Sequence, residues 1–207
     1  SGVYKKDVNK KSILLIHTRL SIVDLNKKSS QPFSDKNGTL IFNGMIYNYI
    51  ELKKHLEMKG EKFETTSDTE VLLKMLNNYK EKAFEMIDGM WVLAYLNHKN
   101  NELILSRDRF GEKPLYYYRE NKDIFFGSQI KQIMNLSKKK FNINEKQIYN
   151  FLGLGYRSVE KYNLTFFKGI KKVPSGSYLK FKLGKIETKK YWTLQYKPNH
   201  KTDQKNI

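Results

Sequence analysis

The feature that most constrains the fold is a change in the spacing of apolar residues near Gly89. Before this point apolar residues recur every three or four positions, which predicts two amphipathic helices. They begin at Asn48 and Ser67, and each start carries a capping-box pattern with Glu51 or Glu70 three residues further on. After it, short apolar segments separated by polar turns predict two β-hairpins, formed by residues 90–96 with 102–106 and by 115–118 with 124–127.

The remaining segments extend this pattern on both sides. Strands are predicted at Lys11–Ile16 and at Thr39–Phe42, the second of which ends at Asn43-Gly44. The later segments predict a helix at Gln129–Leu136, a helix near Glu145–Leu152 and a last hairpin of residues 177–181 with 186–191. Strands, two helices, strands and a helix in this order predict an α+β domain with mainly antiparallel sheets.

A lysine run at Lys138–Lys140 predicts a surface boundary between two parts of the chain. It separates a main domain of residues 1–137 from a closing or connecting segment of residues 138–194. Residues 195–207 are polar and lack core positions, which is typical of a linker or a tail.

The composition limits the class of protein. With 207 residues and 39% hydrophobic content, the chain is expected to fold around a buried core. It contains no cysteine, which excludes disulfides, cysteine-ligated zinc and a thiol nucleophile within these residues. No apolar run approaches the roughly 18 residues of a membrane span, and the start lacks a signal-peptide pattern. We therefore expect a cytoplasmic location and no membrane partner.

The net charge of +18 raises the question of nucleic-acid binding. The charge comes from 34 Lys and only 5 Arg, spread along the whole chain. Base readout and bidentate phosphate recognition favour arginine. The composition therefore favours a solvated, lysine-rich surface over a specific nucleic-acid site.

The pair Asn43-Gly44 has two interpretations. Asn-Gly at the end of a strand is most often a tight hairpin turn, because both residues tolerate positive φ. The next predicted element, however, is a helix and not a returning strand. The alternative is an oxyanion hole, in which the Asn side-chain amide and the Gly backbone N–H stabilise the negative oxygen of an acyl-transfer intermediate.

Arg19 and Asp68 form a second candidate pair. An α-amino acid substrate presents a carboxylate, which Arg binds bidentately, and an ammonium, which Asp68 could accept. Taken singly, Arg19 could also be a surface ion-pair partner. Asp68 could simply favour the positive end of the helix that it begins.

Four motifs in one order carry a family resemblance: His17–Asp24, Phe42–Asn48, Ser67–Glu70 and Arg107–Tyr117. They resemble the glutamine-hydrolysing domain of asparagine synthetase, a class II glutamine amidotransferase, and the resemblance spans residues 1–194. It implies the four-layer αββα sandwich of N-terminal-nucleophile hydrolases, here without its first strand. It also implies an oxyanion hole at Asn43 and Gly44 and a wider glutamine-binding set comprising Arg19, Leu20, Ser21, Ile22, Val23, Asn43, Gly44, Met45 and Asp68.

The resemblance further implies a reaction. In that family an N-terminal cysteine attacks the glutamine side-chain amide, and ammonia passes to a synthetase domain that has activated aspartate as an acyl-adenylate. The expected partners are glutamine and that synthetase domain, and assembly as a homodimer is left open. No cofactor or metal is expected in this chain, whereas ATP and Mg²⁺ are expected for the synthetase domain.

The chain departs from the family pattern at several points. The N-terminal Cys-Gly-Ile, the Arg-Gly-Pro-Asp motif and the Ser-Gly-Gly-x-Asp-Ser pyrophosphate loop do not occur in it. Met45 stands where the family has a Glu that helps to hold the substrate ammonium, and Gln129 also replaces a Glu. We therefore expect an internal fragment that hydrolyses no glutamine by itself. The alternatives are a degenerate glutaminase fold kept for binding or scaffolding, and an amidotransferase for a sugar or peptide acceptor.

Three further features have mainly structural interpretations. Arg107–Tyr117 favours a role in structure or at a domain interface. His17 is expected to be a hydrogen-bonded structural histidine and not a general base. Lys171–Leu179, with Tyr191-Trp192, resembles the segment that joins the glutaminase and synthetase domains, and it is also compatible with an ordinary turn and hairpin.

Overall fold

The structure, a computed structural model, describes residues 2–8, 11–18, 29–155 and 164–196. The strands are β1 (Gly2–Val8), β2 (Lys11–His17), β3 (Phe33–Ser34), β4 (Gly38–Ile46), β5 (Gly89–Asn97), β6 (Glu102–Arg107), β7 (Tyr116–Glu120), β8 (Asp123–Gly127), β9 (Lys171–Lys172), β10 (Ser177–Lys182) and β11 (Lys185–Lys190). The helices are α1 (Tyr49–Met58), α2 (Asp68–Tyr79), α3 (Ala83–Met86), α4 (Ile130–Ser137) and α5 (Glu145–Leu154), with a 3-10 turn at Lys80–Lys82.

The centre of the fold is a six-stranded antiparallel sheet with the order β11-β10-β6-β5-β4-β3. Successive side chains of each strand point to opposite faces of the sheet, and both faces are covered by other parts of the fold. In β5, Trp91, Leu93 and Tyr95 pack with buried residues of α1 and α2, whereas Val92 and Ala94 belong to the core on the opposite face. The unbroken apolar run from Met90 to Leu96 therefore reflects a strand that is buried on both faces.

The second sheet layer consists of two pieces, the β1–β2 hairpin and a three-stranded sheet with the order β8-β7-β9. Leu15 of β2 and Leu115, just before β7, are buried in the same core as Val92 and Ala94. Helix α4 packs on β7 and β8, with Ile133 fully buried. The layers are thus α1 and α2, the six-stranded sheet, the two smaller sheets and α4, which confirms the αββα sandwich.

The two predicted capping boxes differ from the structure. The Asn48 side chain makes no cap bond. It donates to the Met86 carbonyl at 3.0 Å and accepts from the Asp88 N–H at 2.9 Å, so it fixes the loop before β5 instead. At α2, Ser67 does cap the helix by accepting from Thr69 N–H at 3.1 Å.

The Glu70 half of the second box is wrong. The buried Glu70 carboxylate accepts from the backbone N–H groups of Glu64 and Thr65 and from the Thr65 hydroxyl. The Ser67 N–H, which a capping box would satisfy, donates to Thr65 Oγ1 at 3.2 Å. A carboxylate is a stronger acceptor than a hydroxyl. The Glu70 carboxylate therefore binds the several donors of residues 64 and 65, and the single Ser67 N–H is left to the Thr65 hydroxyl.

The motif at Arg107 forms a loop that two buried residues hold in place, in line with the structural role predicted for it. Asp108 is fully buried, and its two carboxylate oxygens accept backbone N–H groups from residues 91, 110, 111, 112 and 113. Arg107 is also buried and donates to the carbonyls of Gly111, Lys113 and Val173.

Within the described ranges, no helix is long and apolar enough to cross a membrane.

Candidate active site

A cleft of about 990 Å³ opens between the two pieces of the second sheet layer. One wall comes from β2 and the other from β8 and the start of α4, and residues of β4 and β5 form the floor. In the described part of the chain, β2 pairs only with β1 and β8 only with β7, so each turns an edge toward the cleft. Asn43, Gly44, Met45 and Asp68 all line it.

Asn43 and Gly44 lie inside β4, where they pair with Val92 and Trp91 of β5. The hairpin-turn interpretation is therefore wrong, and so is the predicted end of this strand at Phe42. Asn43 is exposed and shares a strand face with Ile41, which contacts the core below the cleft. Because β4 continues past this pair to Ile46, the sheet fixes the positions of the backbone N–H groups of Asn43 and Gly44.

Glycine is required at position 44 by the close approach of β5. A Cβ at this position would lie 2.1 Å from the Met90 carbonyl oxygen and 2.7 Å from Trp91 Cα. Both atoms belong to the backbone of the neighbouring strand, so no side-chain rotation relieves the overlap. The Asn43-Gly44 pair is thus explained by packing within the sheet and not by turn chemistry.

The N–H groups along β4 alternate between two edges. Tyr47 N–H, just after the strand, donates to the Asp88 carbonyl on the β5 side at 2.7 Å. The even-numbered N–H groups face the other edge, where Phe42 donates to Gln31 Oε1 at 2.6 Å and Ile46 donates to Asp68 Oδ2 at 3.2 Å. Strand alternation places the Gly44 N–H on that same edge, between two donors that already have acceptors.

Asp68 is 5% exposed and is the first residue of α2. It lies at the positive end of the helix, and its Oδ2 accepts the Ile46 N–H at 3.2 Å. Among the described residues that line the cleft, Asp68 is the one carboxylate, and Lys113 is the one lysine. Met45 lies in the same lining and adds no charge.

The structure describes some of the other sequence-predicted residues and not the rest. Arg19 and the neighbouring Leu20, Ser21, Ile22 and Val23 lie outside the described residues. His17 ends β2, is partly buried and lines the cleft.

The Gln129 side chain also lines the cleft, and it begins α4 in a reciprocal capping box with Gln132. An amide can both donate and accept in such a box. The departure from glutamate at this position is therefore compatible with an intact helix start.

Gln31 is the residue that sequence reasoning missed. It is only 6% exposed, and its side chain holds the β4 edge beside Gly44. It lies in a loop without a periodic pattern, so no signal of composition or spacing marks it.

In the part of the chain that the structure describes, no group of three His, Cys, Asp or Glu side chains could hold a metal ion.

The layered fold, with two antiparallel sheet layers between helices, is of the N-terminal-nucleophile hydrolase type. The solved structure of glutamine phosphoribosylpyrophosphate amidotransferase from Bacillus subtilis shares it, with a TM-score of 0.61 over 86% of this chain and 34% of that one. At 18% identity, this match shows the fold alone. The family model described as "Glutamine amidotransferase domain" matches residues 2–192, and the chain belongs to that family.

Two curated relatives are closer in sequence. Asparagine synthetase (glutamine-hydrolysing) 1 of Bacillus subtilis is 37% identical over 183 residues, which cover 87% of this chain and 28% of the relative. Asparagine synthetase (glutamine-hydrolysing) 3 of the same organism is 33% identical and matches 88% of this chain and 30% of its own length. The chain thus spans less than a third of the length of these relatives, and the expected resemblance is confirmed.

Proposed function

We propose that the cleft binds glutamine and that Asn43 and Gly44 form the oxyanion hole of a glutaminase. The observation that carries this is the order of N–H groups along β4, in which the donor of Gly44 lies between two that have acceptors. When a nucleophile adds to the side-chain amide carbon, its oxygen becomes negative. Two donors from a rigid sheet would stabilise that charge, each by roughly 3–4 kcal/mol of barrier.

Asp68 is proposed to bind the α-ammonium of glutamine. Its carboxylate is buried, lies at a helix start and lines the same cleft as the oxyanion donors. Arg19 is proposed to bind the α-carboxylate, as the family motif implies. A cation and an anion together would orient an α-amino acid so that its side chain extends toward Gly44.

The nucleophile is proposed to come from a segment outside these 207 residues, because they contain no cysteine. The cleft suits an extended segment, since it lies between two strand edges and has an apolar floor that includes Ile41, Val92 and Ala94. Strand addition at such edges uses backbone hydrogen bonds. A thiolate brought in this way would attack the amide carbon and form a C–S bond, and the C–N bond would break. The nitrogen would leave as ammonia with the proton that the thiol had given to the segment's terminal amine, and water would then hydrolyse the thioester to glutamate and regenerate the thiol.

The ammonia is proposed to serve ATP-dependent amidation of aspartate to asparagine, because the curated relatives are named for that synthesis. That step, with ATP and Mg²⁺, would take place in a partner region that these residues do not include. The described residues offer no metal cluster, so no part of that step is assigned to them.

Met45 favours a second candidate, a glutaminase fold kept for binding alone. With Met45 in the cleft, Asp68 is the one described carboxylate available to the substrate ammonium. A weaker ammonium site is compatible with a scaffold that retains the fold and has lost turnover. The two candidates differ in whether a supplied thiol produces glutamate.

The binding test uses the 15N-labelled chain titrated with L-glutamine, with chemical shifts followed by NMR. We expect the amides of Gly44 and Ile46 to shift, and Asp68→Asn to weaken binding about tenfold or more, since a hydrogen bond to a charged group contributes about 1.5–3 kcal/mol. Met45→Glu should strengthen binding, and Met45→Gln, equal in size but uncharged, should not. The proposal fails if millimolar L-glutamine leaves Gly44 and Ile46 unmoved.

The turnover test measures glutamate release. The chain alone should release none above background. Addition of a synthetic peptide that begins Cys-Gly-Ile, at concentrations that fill the cleft, should produce glutamate, and the same peptide with Ser for Cys should not. Glutamine binding without release under these conditions would favour the binding module instead.

A further inference from the structure

Gln31 is a buried polar residue to which the proposed reaction assigns no role. Its Oε1 accepts the Phe42 N–H at 2.6 Å, and its Nε2 donates to Thr69 Oγ1 at 3.5 Å. The first bond holds β4 two residues before Gly44. The second, longer bond reaches the first turn of α2, beside Asp68. The side chain therefore touches both elements that carry the proposed site.

The position of Gln31 follows from the short length of β3. This strand pairs with β4 only through Phe33 with Leu40 and Ser34 with Thr39. Continuing the same register backward by two residues would place Gln31 opposite Phe42. There its side chain, and not its backbone, accepts the Phe42 N–H.

The Gln31 backbone instead faces the other hairpin. A Cβ added to Gly2 of β1 would lie 2.3 Å from the Gln31 carbonyl oxygen, so the two backbones are in close approach. The chain has turned away from the edge of β4 at this point. The Gln31 side-chain amide accepts one N–H group of β4, that of Phe42, and the β3–β4 hydrogen bonding stops there. A strand that continued along this edge would pair with Gly44 as well.

We propose that Gln31 is a positioning residue of the oxyanion hole, which fixes β4 at Phe42 while leaving the edge open at Gly44. The inference rests on the proposed function for its chemical meaning. On the far side of Gly44, the Ile46 N–H is held by Asp68 Oδ2 at 3.2 Å. The Gly44 N–H thus lies between two N–H groups that have side-chain acceptors, and one of these acceptors, Asp68, also belongs to the proposed substrate site.

The first test measures hydrogen–deuterium exchange of the Phe42 amide by NMR in the whole chain. Gln31→Met keeps a similar volume and removes the acceptor, so Phe42 protection should fall at least tenfold. Gln31→Glu restores an acceptor and should recover most of the protection. Thr69→Val removes only the longer bond and should change Phe42 protection less than twofold.

The second test separates positioning from general stability by comparing two ligands. L-glutamate places a carboxylate at the oxyanion donors, whereas L-norvaline has the same chain length and no side-chain oxygen. Gln31→Met should lower the preference for L-glutamate over L-norvaline about tenfold and leave L-norvaline affinity within about twofold. Thr69→Val is the matched control and should preserve the preference.

The outcomes distinguish this inference from the proposed function. Unchanged Phe42 protection in Gln31→Met overturns the positioning role, and so does an equal loss of affinity for both ligands. If the unmodified chain binds neither ligand, the proposed function fails. The exchange data then decide the role of Gln31 alone: it is upheld if Gln31→Met exposes Phe42 and shifts the Gly44 amide, and overturned if either amide is unaffected.

Discussion

Gly44→Ala is the substitution that most directly tests the architecture of the site. The added Cβ would lie 2.1 Å from the Met90 carbonyl oxygen and 2.7 Å from Trp91 Cα, whereas ordinary van der Waals contacts begin at 3.4 Å. Relief of the first overlap alone requires β4 and β5 to separate by more than 1 Å, the shortfall of 2.1 Å from 3.4 Å. Both strands lie inside the six-stranded sheet, so neither moves freely.

The expected loss in free energy of unfolding is roughly 3–4 kcal/mol. Overpacking in a close-packed interior costs about 1–3 kcal/mol. Separation of two central strands also weakens the ladder bonds on either side, at about 1 kcal/mol for each. The movement displaces the Gly44 N–H as well, so the variant should lose any preference for L-glutamate over L-norvaline.

Urea denaturation followed by circular dichroism measures the effect, with Gly60→Ala as the matched control. Gly60 has φ +89°, and a Cβ there meets nothing within 4 Å, so this variant bears only the backbone cost of about 1–2 kcal/mol. Gly44→Ala should therefore be the less stable of the two by roughly 2 kcal/mol. Equal destabilisation, within about 0.5 kcal/mol, would refute the argument from close strand approach.

Two other predictions concern parts of the fold away from the β4 edge. Asp108→Asn should destabilise the chain by about 3 kcal/mol in thermal unfolding, because an amide offers one acceptor oxygen to a loop in which two carboxylate oxygens now accept five N–H groups; a loss below about 1 kcal/mol would contradict this. Burial, and then the charge of Asp35, raises the pKa of Tyr95 to about 12. Because the folded state favours the neutral phenol, Tyr95 contributes free energy of unfolding that is fully present below pH 10 and is lost as the pH rises toward 12. Tyr95→Phe should therefore reduce the fall in the free energy of unfolding between pH 9 and pH 11 by about 1 kcal/mol. An unchanged fall would contradict this.

The elements that could be predicted are those with a long hydrophobic period. The continuous apolar run from Trp91 to Tyr95 marks a strand between two cores, and the helical spacing in α2 marks a helix packed on one of them. The capping boxes failed for a tertiary reason. Asn48 and Glu70 have the right spacing, but N–H groups of neighbouring loops compete for their side chains.

The strands that were missed have almost no side-chain signal. β9 is the pair Lys171–Lys172, which joins the sheet through its backbone opposite Tyr116 and Tyr117. β3 is equally short, and β1 buries only alternate residues of a polar segment. Backbone pairing of such short segments is decided by neighbouring strands, so local sequence carries little information about it.

The candidate site divides in the same way. Asn43, Gly44 and Asp68 stand in sequence motifs, and the structure places all three in the lining of one cleft. Gln31 could not, since its role depends on where β3 ends and on how closely β1 approaches. A polar side chain that completes another element's hydrogen bonds is visible only once both elements are placed.

In the proposed site, the oxyanion hole and the ammonium site belong to different elements, which bears on Met45. The proposed oxyanion donors are positioned by the edge of β4, by Gln31 and by the glycine that β5 requires. The proposed ammonium site is formed by Asp68 at the start of α2 and contacts that edge at Ile46. Replacement of a second carboxylate by methionine therefore weakens contacts that substrate and transition state share. Loss of such uniform binding raises KM and leaves kcat nearly unchanged, so Met45 is compatible with slow capture of glutamine by an otherwise intact oxyanion hole.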